Sequence, residues 1–319
     1  MHRHHTCRCT LAAMCYSAQI YAEFKLFKRQ FGAVMDIDTY VATFWPGEKK
    51  QPRAKAPRAM IRELEEIGPP ELRAALLAQD QADIAALEEE LFALRRRVAD
   101  AQRSLQVKET KKAREDVRIG TNKGKAARRR LDILKGLASD NDRVFPGLYA
   151  PVMVWENGQR VVKPMRYQCR PCGKPAFYDR KFPGTYNARR DNLAGFWAGQ
   201  FGISHGIMVA TRFYENVEGP DGKNRVLEFT PRDGEPMLVA CLWSHWKDPT
   251  GQEPDLLSFA AITDEPEPEV AAAGHDRTII NIKPEHIDAW LNPEPGNLAA
   301  LQAIFDDKRH PYYEHRIAA

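Results

Sequence analysis

The stretch MCYSAQ at residues 14–19 places a cysteine directly behind a methionine, as at the start of many proteins. Removal of Met14 would leave Cys15 as a terminal 1,2-aminothiol, with an amine of pKa about 8 beside a thiol of pKa about 8.5. Such an amine forms a Schiff base with an aldehyde, and the thiol then closes a five-membered thiazolidine ring. An internal cysteine has no free amine, and the alternative is that Cys15 is an ordinary buried thiol.

Three further polar residues stand in apolar settings that suit proton transfer. Asn187 lies in TYNARRDN, just past a Pro-Gly turn, with cationic side chains close behind it. Glu215 follows the apolar run of IMVATRFYEN, and a half-buried carboxylate at a strand end has a raised pKa. His275 precedes a strand candidate in AAGHDRTIINI. Taken by itself, a single histidine in such a place is more often structural than catalytic. The order and settings of the three together favour a catalytic set.

Five short stretches, in their order along the chain, resemble motifs of the SRAP family, the SOS response-associated peptidases or abasic-site processing proteins. They are MCYSAQ (14–19), YNARRDN (186–192), ATRFYEN (210–216), AGHDRTIIN (273–281) and AWL (289–291). The resemblance covers roughly 14–57 and 145–293 and leaves out the helical segment between them. It implies an α+β fold with a β-barrel-like core and flanking helices, and a positively charged groove for single-stranded DNA.

The resemblance also implies the chemistry of the site. Members of the family use the mature terminal cysteine to capture the ring-opened aldehyde of an abasic site as a stable thiazolidine crosslink. Carried over by motif, Cys15 is the nucleophile and Asn187 orients it. Glu215 and His275 are the proton-handling pair, since carboxylates and imidazoles move protons near neutral pH. The implied partner is single-stranded DNA containing abasic sites, and no metal or other cofactor is implied.

The DNA contacts implied by the resemblance come from two arginines. Arg189 has the planar guanidinium that suits a phosphate, and Arg190 beside it is assigned to DNA as well. Arg190-Asp191 stands where many relatives have Ser-Glu, and Asn216 stands where a tryptophan is usual. The departures from the family pattern therefore concern DNA contacts and leave the four catalytic side chains intact.

Residues 58–140 differ in composition from the segments on either side and are rich in Ala, Glu, Arg, Leu and Lys. Pro69 and Pro70 suit a turn or a helix start. A seam at a 3.5-residue period predicts a coiled-coil-like helix that either folds back as a hairpin or self-associates through 84–105. Its members are Ile84, Leu87, Leu91, Leu94, Val98, Ala101 and Leu105. Residues 108–135 carry eleven Lys or Arg against four Asp or Glu, either as a solvated hairpin face or as a phosphate-contacting arm.

The differences in composition along the chain predict its domain organisation. We expect a leader, 1–13, that is absent from the mature protein because the start codon is misassigned, with a short transit peptide as the alternative. A catalytic domain is predicted over 14–57 and 141–319, interrupted by the helical insert 58–140. Within that domain Asn157-Gly158 predicts a tight hairpin turn, and further strand candidates follow from residue 206 onward.

Composition limits the cellular setting. The chain has 43% apolar residues and a net charge of +4, and no apolar run approaches the roughly 20 residues of a bilayer crossing. Six irregularly spaced cysteines do not indicate a disulfide framework, so we expect a cytoplasmic, nucleoid-associated protein without a membrane or small-molecule cofactor. Cys169 and Cys172 form one CxxC, for which a structural or weakly redox-active pair is favoured over zinc.

Three functions are therefore open. The first is covalent crosslinking to abasic sites in single-stranded DNA, an activity with lyase-like character. The second is a self-processing cysteine peptidase that removes residues 1–14, and it is compatible with the first. The third is a non-catalytic nucleic-acid-binding or scaffold protein that acts through the helical insert.

Overall fold

The computed structural model describes residues 17–20, 23–45, 54–138 and 142–318. The chain divides into two compact units, one with the residues up to Glu63 and from Asp142 onward, the other with 64–141. Cys15 and the predicted leader lie outside the described residues. The predicted domain boundaries, 14–57 with 141–319 and 58–140, stay a prediction.

One mixed sheet of twelve strands dominates the described part of the first unit. The strands are β1 (Ser17–Ile20), β2 (Val34–Met35), β3 (Arg143–Val144), β4 (Tyr149–Glu156), β5 (Gln159–Tyr167), β6 (Asn187–Arg189), β7 (His205–Glu218), β8 (Asn224–Pro231), β9 (Met237–Trp246), β10 (Leu256–Asp264), β11 (Thr278–Ile279) and β12 (Tyr313–Ile317). They include many β-branched and aromatic residues, and the central strands β7 and β9 are buried along most of their length.

Five of these strands close into a ring around the core. β5 pairs with β4 and β10, β9 pairs with β10 and β7, and β7 pairs with β4. Two of the junctions, β4 with β7 and β5 with β10, contain only two residue pairs each. The ring is therefore less regular than a true barrel. The α+β fold with a barrel-like core, implied by the family resemblance, is confirmed.

The hairpin between β4 and β5 forms as its sequence predicts. Asn157 and Gly158 have φ angles of 52° and 78°, the positive values that a type I′ turn requires. Glu156 pairs with Gln159 on either side of the turn. The strand predicted at MLVACLWSHW coincides with β9, and the one at GIMVATRFYENVE forms all but the first residue of β7.

Helices flank the ring and form the second unit. They are α1 (Phe24–Phe31), α2 (Ile37–Phe44), α3 (Arg58–Ile67), α4 (Pro70–Val107), α5 (Lys111–Leu134), α6 (Tyr178–Lys181), α7 (Pro268–Ala272), α8 (Ile287–Leu291) and α9 (Leu298–Asp306). Gly32 ends α1 in the left-handed conformation at φ 61°, and the Asp36 carboxylate accepts the Thr39 N–H to begin α2. Among the described residues, no helix has both the length and the apolar content to cross a bilayer.

The second unit is a helical hairpin of α4 and α5. Thr110 caps α5 by accepting the Ala113 N–H, and four apolar residues form the core between the helices: Leu87, Leu91, Ala127 and Leu131. At Gly120 a side chain would place its Cβ 2.6 Å from Val98 Cγ2, so glycine permits the close approach of the helices. The predicted seam thus folds back within the chain. Self-association through 84–105 stays a prediction.

Candidate functional site

A carboxylate and an imidazole meet inside the first unit. Glu215 Oε2 lies 3.1 Å from His275 Nε2, and the two side chains are 0% and 1% exposed. Glu215 lies within β7 rather than at its end. The buried Phe213 and Val217 are two residues before and after it, so all three side chains lie on the same face of the strand. It is therefore fully buried, whereas the sequence suggested a half-buried position.

The segment after α7 brings His275 to this carboxylate. Gly274 has a φ of 95°, which side chains rarely adopt, and a Cβ there would lie 3.9 Å from Val217 Cβ on β7. Nδ1 of His275 lies 2.9 Å from the Arg277 carbonyl oxygen, which only accepts, so Nδ1 carries hydrogen in this contact. Arg277 N–H also lies 3.3 Å from Nδ1, a longer contact that needs the other tautomer. Nε2 and the carboxylate lie within ion-pair distance of each other, without a hydrogen bond of good geometry between them.

Asn187 is placed by an aromatic neighbour. It belongs to β6, which runs parallel to β10 with Asn187 opposite Ala261. The Tyr167 hydroxyl donates to Asn187 Oδ1 at 3.3 Å, and the Tyr167 ring stacks on Phe259 at 5.1 Å between centroids. The amide is buried at 5% exposure, so its orientation is fixed by packing.

Arg189 presents its guanidinium to solvent. Its side chain is 42% exposed, and its Nε donates to Asp191 Oδ1 at 2.9 Å. This hydrogen bond lowers the pKa of the Asp191 carboxyl below its ordinary value. A phosphate that binds Arg189 has to compete with Asp191, a residue at which the sequence departs from the family pattern.

Arg190, by contrast, is engaged by the protein itself. It donates to Gln302 at 3.0 Å, Asp264 at 3.1 Å and Asp306 at 2.5 Å, and lies over the Phe305 ring. These contacts tie the segment after β6 to α9. The predicted DNA contact of Arg190 stays a prediction, and it would require some of these bonds to break.

Arg143 is a residue that sequence reasoning missed. Its guanidinium lies 3.6 Å from the Tyr214 ring centroid and donates to Ser17 Oγ at 2.7 Å. Ser17 pairs with Tyr214, the residue before Glu215. No local pattern marks Arg143, because Ser17 and Tyr214 come from distant parts of the sequence. Its contacts fix the start of β1 on β7.

A comparison with protein-family models matches residues 103–317 to "SOS response associated peptidase (SRAP)". The chain belongs to the SRAP family. Membership supports a role associated with the SOS response and abasic sites, with DNA as the partner. The matched range contains YNARRDN, ATRFYEN, AGHDRTIIN and AWL but not MCYSAQ, and the individual roles of the motif residues stay predictions. A comparison with curated protein sequences gives no match.

Three solved structures that the chain is similar to come from two bacteria. A Bordetella bronchiseptica protein is 18% identical with a TM-score of 0.48, covering 57% of this SRAP chain and 89% of its own. A Bacteroides thetaiotaomicron protein is 14% identical with a TM-score of 0.47, covering 56% and 77%. A phage-related protein from Bordetella bronchiseptica is 18% identical with a TM-score of 0.43, covering 57% and 83%.

The AWL stretch of this SRAP chain packs against the first residue of β7 through Trp290. Trp290 is fully buried and stacks on His205 with 3.9 Å between ring centroids. His205 Nδ1 donates to the Trp290 carbonyl oxygen at 2.8 Å, and Nε2 accepts the Gly202 N–H at 2.7 Å. Burial lowers the pKa of His205 to about 4, so the ring is neutral at neutral pH. The motif residue Trp290 therefore has a structural role at the first residue of β7.

The CxxC of the SRAP chain is a pair of free thiols. Cys169 is buried, which raises its pKa to about 12, whereas Cys172 is exposed with its Sγ 3.2 Å from Ser244 Oγ. Across the described ranges, no three His, Cys, Asp or Glu side chains gather as a metal-ligand set. Cys7 and Cys9 of the leader lie outside the described residues.

Proposed function

We propose that this SRAP protein captures abasic sites in single-stranded DNA through a mature amino-terminal Cys15, as a thiazolidine crosslink. The observation that carries the proposal is the buried Glu215–His275 contact at 3.1 Å, on the strand that pairs with β1. A buried carboxylate and imidazole in contact are typical of a site that moves protons. Such a protein would act where the chromosomal DNA is, in the cytoplasm and at the nucleoid.

Chain connectivity supports the assignment of Cys15. Ser17, the first described residue, pairs with Tyr214, which directly precedes Glu215. Two residues of chain span at most about 7 Å, and this is the length of chain that separates Cys15 from Ser17. The aminothiol of a mature chain is thereby tethered near the strand that carries the carboxylate.

The proposed chemistry has two bond-forming steps. The amine of Cys15 adds to the C1 aldehyde of the ring-opened abasic sugar, and loss of one water gives an imine. The thiol then adds to the imine carbon, a C–S bond forms, and the thiol proton moves to the nitrogen. One water leaves overall and no atom changes oxidation state, so the reaction needs no redox cofactor.

Each side chain has a role in these steps. His275 accepts and returns a proton as the sugar ring opens, and Glu215 protonates the hydroxyl group of the amine–aldehyde adduct so that it leaves as water. Asn187 orients Cys15, and Arg189 holds a phosphate of the strand once Asp191 has been displaced.

Self-removal of the residues before Cys15 is part of the same proposal. Hydrolysis of the Met14–Cys15 bond consumes one water and frees the amine that the crosslink requires. Glu215 and His275 are the groups we assign to this proton transfer. Intact-mass measurement of recombinant full-length protein tests it: loss of residues 1–14 that Glu215→Gln abolishes is expected. A leader that stays intact, or that leaves equally well from the variant, would contradict it.

The crosslinking proposal is tested with protein that begins at Cys15 and a single-stranded oligonucleotide with one abasic site. We expect a heat-stable adduct that is lost in Cys15→Ala. Cys172→Ala is the matched control, because it removes an exposed free thiol outside the proposed site. An adduct that persists in Cys15→Ala, or that disappears equally in Cys172→Ala, would overturn the assignment.

A further inference from the structure

Helix α5 carries more positive charge than the chain as a whole. It has nine Lys or Arg and three Asp or Glu, a net charge of +6, against +4 for all 319 residues. Helix α4 of the same hairpin has five Lys or Arg and seven Asp or Glu. The positive charge is thus concentrated on one helix, and such a local field attracts polyanions.

Most of the cations of α5 are exposed and are not neutralised by a neighbouring carboxylate. All nine are exposed, while the face toward α4 is built from Ala113, Gly120, Ala127 and Leu131. Three pair with carboxylates of the hairpin: Arg114 with Glu109, Arg118 with Glu115 and Arg128 with Asp132. Six have no carboxylate partner among the described residues: Lys111, Lys112, Lys123, Lys125, Arg129 and Arg130. A merely solvated helix face favours i,i+4 pairs of opposite charge, and most cations here lack one.

Several of the nine cations of α5, paired and unpaired, lie in two rows along the helix. Lys112, Lys123 and Arg130 are eleven and seven residues apart, intervals that keep side chains on one line of a helix. Arg118 and Lys125, also seven apart, lie on a second line about 120° around the helix. A helix about 10–12 Å across with cations on both flanks matches a major groove about 12 Å wide, which has phosphates on both edges.

The composition of α5 distinguishes duplex from single-stranded nucleic acid. Proteins that bind single strands without sequence preference stack bases on aromatic side chains. Helix α5 has no Phe, Tyr or Trp, so it offers phosphate contacts without a stacking surface. Contacts of this kind are independent of sequence and sensitive to salt.

We propose that α5 binds the phosphate backbone of duplex DNA, independently of base sequence and of the Cys15 chemistry. The protein then holds DNA in two ways, through duplex contacts on the hairpin and through capture of an abasic single strand. Duplex binding by the hairpin does not require capture of an abasic strand, so each activity is tested by a separate measurement.

The test measures binding of the full-length protein to a duplex without abasic sites, by fluorescence anisotropy over a range of salt concentrations. A duplex of about 20 base pairs exceeds the roughly 36 Å length of α5. The triple variant Lys123→Gln, Lys125→Gln, Arg130→Gln removes three of the unpaired cations with little change in helix propensity. We expect the slope of log affinity against log salt to fall in magnitude by about 2 to 3.

A matched triple variant on α4 provides the control: Arg73→Gln, Arg96→Gln, Arg103→Gln. It removes the same charge from exposed positions of the same unit and is expected to leave the slope within about one of wild type. Equal losses in the two triple variants, at unchanged helical circular dichroism, would overturn the proposal. An α5 variant that binds duplex DNA like wild type would also overturn the proposal. The same holds for an α5 variant whose binding to single strands or to duplex RNA falls as much as its binding to duplex DNA. Cys15→Ala is expected to bind the duplex like wild type.

Discussion

Glu215 Oε2 and His275 Nε2 lie 3.1 Å apart with both side chains buried. Other His–carboxylate contacts in the described residues, such as His310 with Glu269, keep at least one side chain partly open to solvent. Removing one partner of a buried charged pair leaves the other uncompensated, at a cost of about 3–5 kcal/mol of stability. Replacing both partners of a buried ion pair by apolar residues is often neutral or stabilising, so a role in proton transfer explains this contact better than a role in stability.

The first prediction concerns catalysis by this pair. We expect Glu215→Gln and His275→Asn each to slow crosslinking to an abasic oligonucleotide by about 10²- to 10⁴-fold, because each removes a proton-transfer group. Rates are measured on folded protein, with circular dichroism as the check. Glu269→Gln is the matched control, since Glu269 is a buried carboxylate that accepts from His310 at 2.8 Å outside the proposed site. Equal slowing in Glu269→Gln would show that the loss reflects packing.

The second prediction concerns Arg189 and its partner Asp191. Arg189→Gln is expected to weaken single-stranded DNA binding and to lower the salt slope by about 0.7, because one phosphate contact is lost. Asp191→Asn is expected to strengthen binding, because the carboxylate no longer competes for the guanidinium. Anisotropy with Cys15→Ala protein keeps crosslinking out of the measurement. Unchanged affinity in both variants would remove Arg189 from the DNA interface.

The third prediction concerns pH and His205. Burial lowers its pKa to about 4, whereas the unfolded chain has the ordinary value of about 6.5. The unfolded state therefore binds more protons between these values, and stability falls as pH drops from about 6.5 to 4, by up to about 3 kcal/mol. His205→Gln should reduce this loss, measured by urea unfolding with tryptophan fluorescence, since all six tryptophans lie outside 64–141. His245→Gln, at an exposed histidine, serves as the control, and an identical pH slope in His205→Gln and wild type would contradict the prediction.

The fourth prediction separates two glycines of α5. Gly120→Ala places a methyl group 2.6 Å from Val98 Cγ2, a stiff β-branched side chain, so we expect the hairpin to lose stability. Gly124→Ala meets nothing within 4 Å and should stabilise the helix by up to about 1 kcal/mol through propensity. Urea unfolding followed by helical circular dichroism measures both. A gain for both variants would show that α5 does not approach α4 closely at Gly120.

Local patterns predicted much of the fold. The Asn157-Gly158 turn, the strand MLVACLWSHW and the proline break before α4 are set by short-range preferences, and each occurs as expected. The closure of the ring was not visible in any local pattern. It depends on pairing between strands far apart in sequence, such as β5 with β10, and only the family resemblance implied it.

The site was predictable in its residue types and less so in its environment. The stretches around Glu215 and His275 were recognised as motifs, yet their contact depends on Gly274, whose positive φ carries the chain across Val217. The cation–π contact of Arg143 with Tyr214 left no sequence signal, because it joins separate segments. Arg189 and Arg190 looked alike in sequence, and only the structure shows that Arg190 is held by three acceptors.

The central claim is that the amine and the thiol of Cys15 act together, and one pair of proteins tests it most directly. The first begins at Cys15, and the second carries one additional glycine before it, which keeps the thiol and displaces the amine. Both are incubated with an abasic single strand, and the products are weighed by intact mass spectrometry. We predict a heat-stable adduct of protein plus DNA minus one water from the first protein and none from the second. An equal adduct from both proteins would contradict the thiazolidine account.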